Sequence, residues 1–180
     1  MFCNGLTPLI YPLLNYSVQT QASLLYANEM KSVNKALAAV IRQQDGKPEL
    51  LVFRHPFAGI QLPKGTVETN ESIEQATLRE LSEESGISLS DQQDVVGTCE
   101  SFVRGGPKED GPLEKHIWSI TIFFVDQELP DKWRHKVEGE GLEKGMLFEY
   151  FWLSIDASLP SKLHEYFRPS AKIILNNLSK

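Results

Sequence analysis

The chain has 180 residues, of which 41% are hydrophobic and 23% are charged, and its formal net charge is −6. This length and composition are typical of one globular domain with a substantial core. The negative charge disfavours a dedicated nucleic-acid binder, and no apolar run is long enough to span a membrane. The first thirty residues contain no Lys or Arg, so the basic start of a signal peptide is missing. Cys3 and Cys99 are too few for a disulfide framework, and we expect reduced thiols in a cytoplasmic protein.

The hydrophobic pattern predicts several strands after residue 31. They cover residues 32–42, 49–54, 94–103, 116–125 and 147–153. Asp45 and Gly46 form the predicted turn of a hairpin between the first two strands. Trp118 and the pair Phe123 and Phe124 are interpreted as core side chains. Residues 1–30 are interpreted as an extension of unknown role, ahead of a single domain formed by residues 31–180.

Two long helices complete the predicted architecture. The first begins near Glu71, with Asn70 as its N-cap, and ends at Gly86, which suits the left-handed conformation beyond a helix. The second covers residues 161–178 and closes the chain. Polar, glycine-rich stretches at 105–112 and 133–145 are predicted loops. Strands that alternate with helices place the chain in the α/β class.

An acidic stripe occupies one face of the first predicted helix. At helical spacing a buried stripe would run Ile73, Ala76, Thr77, Glu80, Glu83, Glu84, Ile87. Its three glutamates lie within an arc of roughly 100°, where core residues are expected. Carboxylates this close repel one another, and either a raised pKa or a bound cation relieves the repulsion. Oxygen ligands alone favour Mg²⁺, with Mn²⁺ as the alternative, over zinc. A solvated, glutamate-rich helix face is the simpler interpretation of the same pattern.

Residues 65–87 resemble the Nudix box, the sequence signature of the Nudix hydrolase family. Every fixed position of the box is matched, by Gly65, Glu71, Arg79, Glu80, Leu81, Glu83, Glu84, Gly86 and Ile87. The resemblance implies a mixed sheet sandwiched between helices, with residues 31–180 as a Nudix hydrolase domain. It also implies metal-dependent hydrolysis of a pyrophosphate bond in a nucleoside diphosphate linked to a further group.

The same resemblance implies roles for individual residues of the box. The implied metal ligands are Glu80, Glu83, Glu84 and the carbonyl oxygen of Gly65. Glu80 and Glu83 are counted as catalytic as well, and so is Arg79. By the same resemblance, Arg79 and Glu71 orient the acids.

Candidate residues for substrate binding and proton transfer lie outside the box. Lys64 precedes the box glycine, where its ammonium could meet a phosphate, and Arg54 is a second candidate for substrate binding. The predicted loop at 133–145 carries three further acids, Glu138, Glu140 and Glu143. We favour Glu140, which is flanked by glycines, as the general base, because box acids engaged with a metal are poor proton acceptors.

Two alternatives to the hydrolase belong to other functional classes. A nucleotide-sensing module on this fold would often lack box acids, and this chain lacks none. An enzyme resembling isopentenyl-diphosphate isomerase would need an additional cysteine and glutamate, and Cys99 after the box gives this little support. Pro63, Lys64 and Gly65 resemble dinucleoside polyphosphate hydrolases, although residues 88–149 lack the tyrosine of those enzymes. The expected partner is a small nucleotide, with no nucleic acid and no membrane, and a homodimer is left open.

Overall fold

The computed structural model describes residues 30–90, 93–104 and 111–179. Its strands are β1 Ser32–Gln44, β2 Lys47–His55, β3 Gly59–Gln61, β4 Lys64–Thr66, β5 Val95–Arg104, β6 Leu113–Phe124, β7 Lys132–Lys136 and β8 Leu147–Ser154. Within the described residues they form one sheet in the order β5-β6-β1-β2-β8-β7, with β3 beside β2 and β4 beside β1. The expectations for residues 1–29, including Cys3, and for residues 105–110 lie outside the described residues.

Strand β1 is the centre of this sheet. It pairs with β6 in parallel along one edge, and with β2 and β4 antiparallel along the other. Residues 36–41 are all buried, because both faces of the strand are covered. Asp45 (φ 51°) and Gly46 (φ 72°) then turn the chain into β2. Two positive φ values in a two-residue turn are those of a type I′ hairpin, so the predicted turn is confirmed.

Helices cover both faces of the sheet. The helical elements are α1 Ile73–Ser85, α2 Leu159–Lys162, a 3-10 turn Glu165–Phe167 and α3 Arg168–Leu178. On one face Leu81 of α1 joins a buried cluster with Phe53, and on the other Ile174 of α3 joins one with Leu37. The expected mixed sheet between helices is confirmed. Within the described part of the chain, none of the helices is both long enough and apolar enough to cross a membrane.

The first helix begins two residues later than predicted. Asn70 is not its N-cap, because its φ of 66° belongs to the turn that precedes the helix. The N-cap is Ser72, whose hydroxyl accepts a hydrogen bond from the Gln75 backbone while the Gln75 side chain accepts one from the Ser72 backbone. This reciprocal capping box satisfies two backbone donors, whereas Asn70 would satisfy one. The predicted end at Gly86 is confirmed by its left-handed φ of 76°.

Three further expectations from the sequence are corrected. The stretch predicted as a loop from residue 133 begins as strand β7, where Trp133 stacks on Tyr150 at 5.1 Å. The closing helix is broken into α2, the 3-10 turn and α3, with a proline near the start of each α-helix. Trp118 and Phe123 are buried as expected, but Phe124 is 64% exposed.

Candidate active site

The glycine that opens the box lies against the first acid of its helix. Gly65 is the middle residue of β4 and pairs with Ala36 of β1. A Cβ atom at Gly65 would lie only 1.7 Å from the carboxyl carbon of Glu80. Glycine is therefore required here for space, and its absence of a side chain lets the Glu80 carboxylate pack against the strand.

Arg79 donates hydrogen bonds to three acids and to one backbone carbonyl. Its Nε and Nη2 atoms donate hydrogen bonds of 2.8 and 2.9 Å to the Glu71 carboxylate. Its Nη1 atom donates to Glu80 Oε1 at 2.9 Å and to Glu83 Oε2 at 3.3 Å. Nη2 also donates to the Thr66 carbonyl at 3.0 Å. The planar guanidinium thus fixes the orientation of Glu80 and Glu83 from a single position.

Lys64 joins the most deeply buried box acid to the loop after β7. The Lys64 backbone N–H donates to Glu84 Oε2 at 3.0 Å, and its Nζ atom donates to Glu84 Oε1 at 3.2 Å. Nζ also donates to Glu143 Oε2 at 2.8 Å. The Glu84 side chain is only 4% exposed, so the interpretation of a solvated helix face is wrong for this acid.

Burial and neighbouring charge shift the pKa values of these acids in different directions. Burial raises the pKa of Glu84 to about 8, against the opposing charge of Lys64. Burial also raises the pKa of Glu80, although Arg79 opposes it. For Glu143 burial acts in the same sense, but the Lys64 ammonium outweighs it, and the pKa is lowered. Glu84 and Glu143 share the ammonium of Lys64. For Glu84, which is the more deeply buried, this charge does not offset the effect of burial on the pKa.

The loop between β7 and β8 lies on the helix at Glu83. The Glu138 backbone N–H donates to the Glu83 carbonyl at 2.9 Å. A Cβ atom at Gly139, whose φ is +71°, would lie 2.3 Å from Glu83 Oε2. Glu140 is exposed in the same loop, and among the described residues it has no hydrogen bond or ion pair. The loop therefore brings its acids to the box from outside the helix.

His55 supports the position of Glu143. Its Nδ1 atom accepts hydrogen bonds from the backbone N–H groups of Phe57 at 3.1 Å and Ala58 at 3.0 Å. The neutral ring must then carry its proton on Nε2, which lies 3.5 Å from Glu143 Oε1. Burial lowers the pKa of His55, although Glu143 acts in the opposite direction. Lys64 and His55 thus hold the two oxygens of one carboxylate.

A cavity of about 600 Å³ collects these groups, a volume within the range of small-molecule sites. Its acidic lining residues are Glu68 from the segment before α1, Glu80, Glu83 and Glu84 from α1, and Glu138, Glu140 and Glu143 from the loop. Its basic residues include Arg79, Lys64 and Lys35. The Lys35 Nζ atom donates to Thr66 Oγ1 at 2.6 Å, and burial and the nearby Lys64 lower its pKa. Acids and cations therefore converge on one space.

Two residues singled out from the sequence are not among those that line this cavity. Arg54 is exposed on β2, and its guanidinium carbon lies 5.7 Å from the centre of the Phe151 ring. Cys99 is half-buried on β5, with its Sγ atom 3.3 Å from the Ser170 hydroxyl of α3. The position of Cys99 gives no support to the isomerase-like alternative.

The oxygen atoms of these carboxylates suit a hard cation. In the structure, however, the carboxylates contact the side chains of Arg79 and Lys64. In the described residues, no three Asp, Glu, His or Cys groups stand close enough to hold a metal ion as they are. Arg79 Nη1 bridges Glu80 and Glu83, and Lys64 Nζ bridges Glu84 and Glu143. Each bridging nitrogen marks a place where two carboxylates already share one positive charge. Such all-oxygen sites suit Mg²⁺ or Mn²⁺.

Some of the lining residues were not predicted from the sequence to belong to the site. Lys35 could have been found from the sequence, because a charged residue is unusual in a strand that is predicted to be buried. His164 and Tyr166 were not assigned to the site, because an unbroken closing helix was expected there. Only the break after α2 brings them to the cavity.

The family model of the NUDIX domain matches residues 33–175. The match covers most of the chain, so this protein belongs to the NUDIX domain family. With all the acids of the box in place, it is an enzyme of the pyrophosphohydrolase class. No curated protein matches its sequence.

Solved structures share the fold at low sequence identity. The Ap4A hydrolase of C. elegans is 16% identical with a TM-score of 0.54, over 82% of this chain and 98% of that one. The NUDIX domain of Shewanella oneidensis NrtR, complexed with ADP ribose, is 15% identical with a TM-score of 0.58, over 88% of this chain and 98% of that one. The E. coli dihydroneopterin triphosphate pyrophosphohydrolase is 18% identical with a TM-score of 0.55, over 80% and 95%.

Proposed function

We propose that this protein hydrolyses a pyrophosphate bond in a nucleoside diphosphate linked to a further group, in a reaction that depends on Mg²⁺ or Mn²⁺. The observation that carries the proposal is the convergence of box acids, loop acids and two lysines on one cavity. The named neighbours act on or bind phosphate anhydrides of nucleotides or a pterin, which agrees with this substrate class. The presence of a free thiol at Cys99 is consistent with the cytoplasm as the place of action.

Cationic side chains would hold the phosphate groups. Lys64 is the first residue of β4, and Lys35 of β1 pairs with Thr66 of the same strand, so β4 has an ammonium group near each of its ends. Each can donate to phosphate oxygens once substrate enters, with Lys64 exchanging carboxylate partners for phosphate. Arg79 is saturated by three acids and a carbonyl, and we assign it the orientation of those acids. Arg54 stays a prediction for substrate binding. Because it lies on β2 outside the cavity lining, Lys35 and Lys64 are the better candidates for contacts with phosphate.

Glu80, Glu83, Glu84 and the Gly65 carbonyl would hold the metal. The bound ion would neutralise charge on the anhydride and activate the attacking water. Glu83 lies between the guanidinium and the loop, and Glu80 lies against Gly65, so both carboxylates face the cavity. Glu84 would become available when Lys64 moves to phosphate.

The proton of the attacking water needs an acceptor in the same cavity. We assign this role to Glu140, because its carboxylate is exposed there and carries no ion pair among the described residues. Glu143 is held by Lys64 and His55, so it is better suited to anchor the loop than to take a proton. Glu80, whose pKa is raised by burial, is the competing acceptor inside the box.

A substrate panel tests the proposal directly. The full chain is incubated with Mg²⁺ or Mn²⁺ and dinucleoside polyphosphates, ADP-ribose, nucleotide sugars and nucleoside triphosphates, and products are separated by chromatography. We expect cleavage within the anhydride of at least one class, lost with chelator and strongly reduced in Glu83→Gln. A nucleotide-sensing module would instead bind one of these ligands and release no product, and that outcome would overturn the proposal. In a thermal-shift arm, Glu84→Gln should remove most of the stabilisation by the metal.

A further inference from the structure

One edge of the cavity carries large apolar side chains that are exposed. Leu142, in the loop between β7 and β8, lines the cavity and is 70% exposed. Ala58, in the turn between β2 and β3, also lines it, and the residue before it, Phe57, is 86% exposed. Among the large hydrophobic side chains of the described residues, Phe57 and Leu142 are the two most exposed. We call Phe57, Ala58 and Leu142 the apolar rim, and exposed apolar surface of this kind can mark a binding site.

The turn that carries Phe57 is anchored to His55. The His55 Nδ1 atom accepts hydrogen bonds from the backbone N–H groups of Phe57 at 3.1 Å and Ala58 at 3.0 Å. The rings of His55 and Phe57 meet edge to face, with their centres 6.0 Å apart. These contacts fix the backbone of the turn while the Phe57 ring stays exposed to solvent.

The apolar rim is joined to the phosphate-binding lysine through one carboxylate. Glu143 Oε2 accepts a hydrogen bond from Lys64 Nζ at 2.8 Å, and Glu143 Oε1 lies 3.5 Å from His55 Nε2. Leu142 precedes Glu143 in the chain, and Phe57 packs on His55. Glu143 therefore connects Lys64 to both apolar side chains. A phosphate held by Lys64 would have this apolar surface close beside it.

The polar groups next to the rim are already engaged. Both ring nitrogens of His55 have partners, and Gln61 Nε2 donates a hydrogen bond to the Ala58 carbonyl at 3.0 Å. The side chains of Phe57 and Leu142 add only carbon to this surface. A sugar or a second base would gain few hydrogen bonds here, whereas an aliphatic chain needs none. The rim thus suits a group without polar atoms.

The charge of the neighbouring loop disfavours an anionic group at the rim. Glu138 and Glu140 are exposed in the loop that carries Leu142, and both line the cavity. Among the described residues, Glu140 has no ion pair that would offset its charge. A further phosphate or carboxylate at the rim would be repelled by these acids. A neutral group would not be.

We propose that Phe57, Ala58 and Leu142 bind a neutral aliphatic chain, and that this chain is the group linked to the nucleoside diphosphate. This inference rests on the proposed function, and it narrows the substrate class from any linked group to an apolar one. Removal of the chain and of the two exposed side chains from water would favour binding, and the gain would grow with chain length.

A series of alkyl esters that cannot be hydrolysed tests the rim without catalysis. The full chain, with Mg²⁺ in fixed excess, is titrated calorimetrically with the methyl, butyl and octyl monoesters of methylenebisphosphonate, below their micellar concentrations. The charged head is the same in all three, so only contacts of the chain differ. We expect the octyl ester to bind about tenfold or more tightly than the methyl ester, with the butyl ester between them. Equal affinities would overturn the proposal.

Variants assign the effect to the rim. Phe57→Ser and Leu142→Ser should each lower the ratio of octyl to methyl affinity by about threefold or more, whereas Phe57→Leu should retain most of it. Phe124→Ser is the matched control, since Phe124 is an exposed aromatic residue outside the cavity lining. An equal fall in Phe124→Ser would mean non-specific association of the chain with exposed apolar side chains and would overturn the proposal. An unchanged ratio in folded Phe57→Ser and Leu142→Ser would overturn it as well.

The oligomeric state distinguishes a ligand site from an interface between copies. If the wild type is a dimer by sedimentation and Phe57→Ser is a monomer, the rim is a subunit interface and the proposal is wrong. An oligomeric state that is the same in both supports the ligand site.

The two proposals fail separately. A preference for longer chains without anhydride cleavage in the substrate panel would support the apolar rim and contradict the proposed hydrolase. Anhydride cleavage with no dependence on chain length would support the hydrolase and contradict the apolar rim.

Discussion

The Nζ atom of Lys64 lies 2.8 Å from Oε2 of Glu143, a residue 79 positions further along the chain. The same Nζ lies 3.2 Å from Glu84 Oε1, so one ammonium joins strand β4, the box helix and the loop after β7. A cation that enters this site competes with Lys64 for the two carboxylates. Lys64 therefore balances the charge of the acids when no metal is bound.

Replacement of Lys64 should strengthen metal binding. In Lys64→Met, Glu84 and Glu143 lose their shared ammonium, and a unit charge at this range is worth several kcal/mol at an effective dielectric constant of about 20. We expect Mg²⁺ to bind about tenfold more tightly by calorimetry, while turnover falls because a phosphate contact is lost. Lys132→Met is the control, because Lys132 pairs with Glu149 outside the cavity. Weaker Mg²⁺ binding in Lys64→Met would mean that Lys64 assists the metal.

The Glu71–Arg79 pair should make stability depend on pH at the acidic end. The hydrogen bonds from Arg79 lower the pKa of Glu71 below its ordinary 4.5. The folded state then binds fewer protons than the unfolded state, so the contribution is present above pH 4.5 and is lost as pH falls below it. Glu71→Gln should reduce the free energy of unfolding by about 1.5–3 kcal/mol at pH 7, and by less at pH 3. Equal losses at both pH values, measured by urea unfolding, would contradict this account.

Loss of Arg79 should lower turnover more than substrate affinity. Arg79 donates hydrogen bonds to Glu71, Glu80 and Glu83, and we assign to it the orientation of these acids. We expect a large fall in kcat for Arg79→Ala with a modest change in KM. Arg79→Lys should restore little, because an ammonium cannot reproduce the planar fork that contacts three acids. A change confined to KM would assign Arg79 to substrate binding.

The loop acids can be compared as a matched series. Glu138, Glu140 and Glu143 line one cavity and differ in their contacts, so each is replaced by Gln in turn. As general base, Glu140 should be the one whose loss lowers kcat by about 10²–10⁴-fold. Metal-induced stabilisation should be intact in Glu140→Gln. Near-normal kcat in all three variants would return the role to Glu80.

Alanine variants of two loop glycines distinguish the effect of backbone strain from that of displacing the Glu83 side chain. Gly139 (φ +71°) and Gly141 (φ +109°) both adopt conformations that side chains disfavour. A Cβ atom at Gly139 would lie 2.3 Å from Glu83 Oε2, whereas one at Gly141 has no described atom within 4 Å. Both alanine variants should lose about 1 kcal/mol or more of stability. Only Gly139→Ala should also lose metal affinity, and equal metal affinities in the two variants would contradict the role given to Glu83.

The sequence by itself determined the box helix and the acids it carries. Helical spacing placed Glu80, Glu83 and Glu84 on one face, and the structure shows Glu84 buried there. The end at Gly86 and the turn at Asp45 and Gly46 followed from local backbone chemistry, which acts over a few residues. The order of the strands was not accessible in this way, because β1 pairs with β6 across some 80 positions of sequence.

Only the tertiary structure decided which distant groups meet the box. Lys64 and His55 hold Glu143, and the approach of Gly139 to Glu83 depends on how β7 packs against α1. The break in the closing helix brings His164 to the cavity. Such contacts depend on the docking of whole elements, and no periodicity within one element encodes the position of another. Periodicity thus specified the chemistry of one helix face, whereas the packing of the sheet and its loops specified the surroundings of that face.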